Sequence, residues 1–365
     1  MVKNYALFLI ISLFFFSISS CTKEENYETI PNQEEQESPV IFNIENVPYQ
    51  TLSEYNFFKE ELKDLEPVFG VLPYELNSSL FSDYAKKKRF VWMPENVKAT
   101  YVSDHLPFNF PIGTVLIKNF YFENIQPNNT KRIIETRLMI KKADQWIFAE
   151  YLWNEAQSEA TLTSEGSVVN IEWIQDNEIK NVNYRVPAAA ECFTCHNKFG
   201  TPVPIGPKPQ NIFKDLQYSD GLKNQMQKWV EMDYLEPNYP SNIIATVNWK
   251  DTSLSLDLRA RSYIDINCAH CHSEESYCEY RPMRFAFNEN DDLINMGVCV
   301  EPDTNVNSSL THIIKPNSPN ESVAFFRMSS TLEEYRMPLI GRTLKHTQGI
   351  RLVEEWIESL TQPCQ

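Results

Sequence analysis

The chain has 365 residues, 42% hydrophobic and 22% charged, the make-up of a globular protein with enough apolar surface to bury a sizeable core. Its 49 acidic against 33 basic residues leave a net charge of −16. That balance argues against nucleic acid as a partner and favours encounter with basic protein surfaces.

Lys3 followed by the apolar run Leu7 to Phe16 reads as a secretory signal over residues 1–20, too short for the roughly 20 apolar residues of a membrane span. The run ends in Ile18-Ser19-Ser20-Cys21, which resembles a bacterial lipobox. The resemblance implies cleavage before Cys21, lipidation of its thiol, and a mature chain anchored to a membrane through lipid with no transmembrane span. The expected location is an exported, outer-membrane lipoprotein on the periplasmic or cell-surface side; Lys23-Glu24-Glu25 is similar to some surface-export signals. Residues 21–45, carrying Glu24, Glu25, Glu28, Glu34, Glu35 and Glu37, read as a flexible acidic tether.

Residues 46–187 read as a β-rich domain. Within it, Leu52, Phe58, Leu62 and Leu65 ahead of Pro67 predict one helix over 52–66. Short β-forming runs follow at Thr114 to Phe122, Ile133 to Ile140, Trp146 to Trp153, Val168 to Ile174 and Asn181 to Val186. Ala143-Asp144-Gln145 suits a hairpin, and the whole suggests an antiparallel sheet or sandwich whose aromatics are core. Strands are expected to cease at Pro187, leaving a loop-rich segment over 188–248. Residues 249–365 form a last unit bracketed by helices over 253–267 and 349–360. The fold class is α+β: an antiparallel β-rich N-terminal domain followed by a mainly α-helical one.

Two pentapeptides carry chemistry: Cys192-Phe193-Thr194-Cys195-His196 and Cys268-Ala269-His270-Cys271-His272. Each is Cys-x-x-Cys-His, the pattern of c-type haem attachment, in which two thiols reach the two vinyl groups on one porphyrin edge and the next imidazole lies under the iron. With 8 Cys and 6 His in the chain, chance supplies roughly 0.003 such matches. The pattern predicts two c-type haems, held by Cys192, Cys195, Cys268 and Cys271, with His196 and His272 as iron ligands. Local disulfides or a zinc site on the four cysteines are the rival readings. The pairs stand 76 residues apart, against about 15–20 in paired zinc ribbons.

Met337-Pro338, 65 residues beyond His272, offers that iron a sixth ligand, with Met328 as competitor. For the first iron, Met226, Met232, His105 and His346 all stay open, as does an empty sixth position. His270 is excluded as a ligand to its own iron. Export permits disulfides, and Cys278 with Cys299 forms the best pair, leaving Cys364 over.

Further segments join the pentapeptides: Phe110-Pro111-Ile112-Gly113-Thr114, Glu135-Thr136-Arg137-Leu138, Ile205-Gly206-Pro207-Lys208, Arg259-Ala260-Arg261-Ser262-Tyr263 and Met337-Pro338-Leu339-Ile340-Gly341-Arg342. On these the chain resembles, over about residues 50 to 362, a family of exported bacterial dihaem c-type cytochromes. The resemblance implies a β-rich N-terminal half and a cytochrome c-like C-terminal domain, and supplies no substrate. The expected function is one-electron transfer at the cell envelope with a basic redox partner protein. The alternative is a peroxidase-like haem enzyme using the first haem as the reactive centre; a third reading makes the β segment a recognition module and the haems a sensor.

Overall fold

Alternating apolar residues in the middle of the chain do form strands. A computed structural model describes residues 37–364, so the signal segment, Cys21 and most of the acidic tether lie outside the described residues. β1 (Leu72–Tyr74), β2 (Lys86–Trp92), β3 (Val115–Ile125), β4 (Thr130–Lys141), β5 (Trp146–Trp153), β6 (Ala160–Thr163), β7 (Ser167–Gln175) and β8 (Glu178–Val186) make one eight-stranded antiparallel sheet. Six strands lie side by side in chain order, while β7 pairs with β8 and touches the end of β3 through Ile125 and Trp173. All five predicted runs are strands; β1, β2 and β6 were not foreseen as separate elements, being short or, in β2, opening on Lys86-Lys87-Lys88-Arg89.

One face of this sheet buries Val115, Ile117, Ile133, Ile140, Tyr151 and Trp153 against the N-terminal segment. That segment is not the single helix expected over 52–66. It makes two isolated 3-10 turns, Ser53–Tyr55 and Leu62–Asp64, ended by Asn56 and Leu65 in left-handed conformation. Leu52, Tyr55, Phe57, Phe58 and Leu65 are all buried, and the adjacent rings of Phe57 and Phe58 cannot both face one core from a helix. An irregular path buries them all, with the Tyr55 hydroxyl 3.0 Å from that of Tyr151.

The opposite face is apolar at one end, where Leu116, Met139 and Trp146 pack against Ile212, Met226, Trp229 and Leu235. Strands do not cease at Pro187: β9 (Asn197–Lys198) pairs with β10 (Thr201–Pro202), and β11 (Asp215–Tyr218) with β12 (Gly221–Asn224). Short helices α1 (Cys192–Cys195), α2 (Pro209–Ile212) and α3 (Gln225–Glu231) complete this segment.

Beyond it lie α4 (Leu256–Ile264), α5 (Val323–Ser329) and α6 (Thr347–Ser359). Ser255 caps α4 by accepting from the Leu258 N–H, and α6 buries Leu352, Val353, Trp356 and Ile357. The helices cross where Gly349 meets Tyr263: any Cβ there would lie 2.2 Å from the Tyr263 hydroxyl, so only glycine permits the contact. Helix is sparser here than a mainly helical domain implies, since residues 270–318 carry only turns and isolated bridges. Prolines at 282, 302 and 316 and clustered Asp and Asn favour turns there. The described chain from Ser38 onward forms one compact unit, an α+β fold, and among the described residues no helix is long and apolar enough to cross a membrane.

Candidate functional site

The first pentapeptide is placed by the end of the sheet. After β8 a 3-10 turn, Ala189–Glu191, runs directly into α1, with the Glu191 carboxylate accepting from the Ala188 N–H and from Arg185. The β9–β10 hairpin then folds back so that His196 Nδ1 lies 2.9 Å from the Val203 carbonyl oxygen. Nδ1 therefore carries the proton and Nε2 keeps a free lone pair, the arrangement a metal-binding imidazole shows. Burial pulls the His196 pKa down to about 4, so the ring is neutral.

The second pentapeptide continues α4 through a π-helical turn, Asp265–Ala269. Its backbone is closed by His272 N–H donating to the Cys268 carbonyl and Cys278 N–H donating to that of Cys271. His272 is buried, its pKa is pulled down to about 4 by that burial, and its Nδ1 has no hydrogen-bond partner. A buried neutral imidazole with an unmatched nitrogen fits metal ligation better than packing.

Each pentapeptide opens on its own cavity. Cys192, Cys195 and His196 line one of about 1230 Å³; Cys268, Cys271 and His272 line another of about 1630 Å³, both open to solvent. The two adjoin, sharing Phe81, Cys195, Asn267, His270, Pro338 and Ile340 as walls. At the junction the ligand atoms of Cys195, His270 and Cys271 lie within 4.8 Å of one another. Cys271 and then His270 hold the Cys195 thiol well below its usual range, while the Cys271 thiol is pushed up by the same bond, so one negative charge is shared between them.

All four motif cysteines are free thiols, which removes the local-disulfide reading. The four-cysteine zinc site is not assembled either, because Cys192 and Cys268 stand outside the three-residue group. The expected Cys278–Cys299 disulfide is also wrong. Cys299 pairs with Cys364, Cα atoms 5.1 Å apart, because the tail after α6 returns to the turn at Cys299, while Cys278 is buried as a free thiol beside the second motif.

Met337 and Met328 both line the second cavity with His272. The loop carrying Met337 is clamped twice. Arg342 donates to four carbonyl oxygens, of Met337, Leu344, Arg327 and Ser330, at 2.9–3.1 Å. Asp83, from the β-rich half, accepts from the Thr343 N–H and hydroxyl and the Leu344 N–H at 2.7–2.9 Å. Neither clamp was legible, since each joins groups whose proximity depends on the whole fold.

None of the four residues left open for the first iron lines the first cavity. Met226 is fully buried beside Trp229, Met232 borders the same core, and His105 sits by Ser103. His346 faces the second cavity, stacked on Phe81 at 4.1 Å. Instead the first cavity is floored by the sheet, where cross-strand pairing sets Arg89, Lys118, Arg137 and Glu150 in one row. Lys118, Arg137 and Glu150, with Met139 nearby, line the cavity. Arg137 is locked by two bonds to Glu135, at 2.7 and 2.8 Å, and Tyr184 donates to the same carboxylate at 2.6 Å. Each charge is legible in its own strand, Lys118 in β3, Arg137 in β4 and Glu150 in β5, but their shared face is not.

No family model, curated protein or solved structure matches this chain.

Proposed function

We propose that the chain is a two-haem c-type cytochrome of the cell envelope that transfers electrons one at a time. One observation carries this: each Cys-x-x-Cys-His segment puts two free thiols and a neutral imidazole on the wall of its own cavity, and the two cavities meet. Haem, when bound, supplies an iron that changes oxidation state by one electron at a potential set by its axial ligands and surroundings. Cys192 and Cys195 would hold the first group and Cys268 and Cys271 the second. His196 and His272 would each supply an imidazole to the iron of its own site, and Met337, on the wall of the second cavity with His272, would supply a thioether to that one. Contact between Cys195 and Cys271 keeps the two sites adjacent, as passage of an electron between them requires.

The finer cytochrome c-like reading of residues 249–365 is supported by the order of α4, pentapeptide, Met337-Pro338 loop and α6, with α4 and α6 crossing at Gly349. The lipobox and the charge of −16 support a lipid-anchored, exported protein that meets a basic redox partner. A second reading has one specific observation behind it: Cys195, His270 and Cys271 could bind a single soft metal ion as two sulfurs and a nitrogen.

Denaturing intact-mass analysis of protein matured in a host competent for cytochrome assembly separates the two. Two covalent haems survive denaturation, whereas a coordinated ion does not; a colourless product without added mass overturns the proposal. In the coloured protein, Met337→Ala abolishes the ferric absorption at about 695 nm that marks His/Met ligation, and an unchanged band removes Met337 from its role.

A further inference from the structure

None of the residues the sequence offered as second ligand to the first iron lines the first cavity, but the sheet brings another donor to its wall. Leu116, Met139 and Phe148 form one cross-strand row there, and the Phe148 ring packs on His196 with centroids 5.3 Å apart. Lys118, Arg137 and Glu150 form the next row on the same face, one pleat repeat or about 7 Å further along. Both rows line the cavity that His196 lines. Most polar groups on this wall are engaged with one another. Arg137 and Tyr184 donate to Glu135, which is also the side-chain hydrogen-bond partner of Glu150. Met139 is 8% exposed and packs into the core with Trp146 and Ile212. Lys118 differs. It is half-buried, and among the described residues its Nζ has no hydrogen-bond or ion-pair partner, only the Phe120 ring at 4.8 Å. An ammonium at this position would face like charge, since its cross-strand neighbours are Arg89 and Arg137. Burial first, and then those guanidiniums, pull the Lys118 pKa well below its usual value, which favours the neutral amine with its free lone pair.

We propose that Lys118 is the second protein ligand of the first iron, so that His196 and Lys118 hold that metal as His272 and Met337 hold the other. This rests on the two-haem reading and fills a position that reading leaves open. Any proton on Nζ leaves to solvent before the amine lone pair binds the metal. Two nitrogen ligands favour ferric iron relative to a nitrogen and a thioether, so the first centre has the lower potential. An electron that arrives at the first centre then passes to the second.

The test uses the full, haem-loaded chain with its mass confirmed, grown on lysine that carries a heavy nitrogen isotope in its side chain. Pulsed electron paramagnetic resonance of the ferric protein should show two low-spin centres, one of them coupled to the lysine nitrogen. Lys118→Ala should turn that centre high-spin and let it bind cyanide, which the parent should bind at neither centre. Added methylamine should restore the low-spin signal. Lys118→Arg, which keeps a cation but has no lone pair to give, should behave like Lys118→Ala. In both variants the lower midpoint of a redox titration should move, while the ferric absorption at about 695 nm from the second centre stays. A parent chain without lysine coupling overturns the assignment whatever the variants do, and leaves electron transfer standing. So does a first centre that turns high-spin in Met139→Leu or His270→Leu and stays low-spin in Lys118→Ala. A chain without haem overturns this assignment and the function beneath it together.

Discussion

The two cavities hold the same pentapeptide and are built by opposite means. The first is floored by β3, β4 and β5, whose hydrogen-bond ladder sets Lys118, Arg137 and Glu150 in one row. The second is wrapped by α4, α5, α6 and long irregular segments that need pinning from outside: Asp83 from the β-rich half, the Arg342 guanidinium, and the Cys299–Cys364 disulfide. A sheet can carry charge into a cavity wall because its backbone is already satisfied and neighbouring strands supply the partners. Loops spend side chains on satisfying their own backbone, as Arg342 does with four carbonyl oxygens beside the second cavity. The same pentapeptide thus sits beside a charged row carried by a sheet on one side and among helices and pinned loops on the other.

If the second region depends on its pins, the largest loss follows removal of the covalent one. Cys299→Ser opens a loop of 65 residues and should cost about 2–4 kcal/mol in urea unfolding, whereas Cys278→Ser, at a free thiol, should cost much less. Equal losses from the two would mean that the bridge is made by Cys278 after all. Asp83→Asn comes next. It removes the charge that accepts from Thr343 and Leu344 and should destabilise the chain by about 1.5–3 kcal/mol, with the absorption at about 695 nm weakened or lost. A band of full strength would show that Arg342 alone holds the Met337 loop.

The smallest effect tests the polar side. Burial first, and Glu135 second, push the Glu150 carboxyl up from 4.5 to about 9. Between those values the folded chain binds a proton that the unfolded chain has released, so this group's contribution to stability falls as pH rises, by up to about 1.4 kcal/mol per unit. Glu150→Gln should flatten that part of the stability profile between pH 5 and 8. A profile identical to the parent's would mean that Glu150 is ionised in the folded protein.

The limits of sequence reading divide along the same line. The strands from Thr114 to Val186 were legible because β-branched and aromatic residues cluster in short runs there, and α6 because it keeps an apolar face of Leu352, Val353, Trp356 and Ile357. The helix over 52–66 failed because its apolar spacing is satisfied better by tertiary burial of two adjacent rings than by one helical face. The disulfide failed because cysteine spacing carries no information about which loop the C-terminal tail returns to.

The sequence alone proposes candidate groups, Cys192, Cys195, His196, Cys268, Cys271 and His272, because Cys-x-x-Cys-His is a pattern complete within five residues, and adds Met337 from its offset beyond the second pattern. Tertiary structure alone decided that the two pentapeptides touch through Cys195 and Cys271, that Asp83 holds the Met337 loop, and that Glu150 is buried on the wall of the first cavity. The first two join residues 76 and 261 positions apart, and such contacts exist only after strand register and helix packing have brought distant segments together.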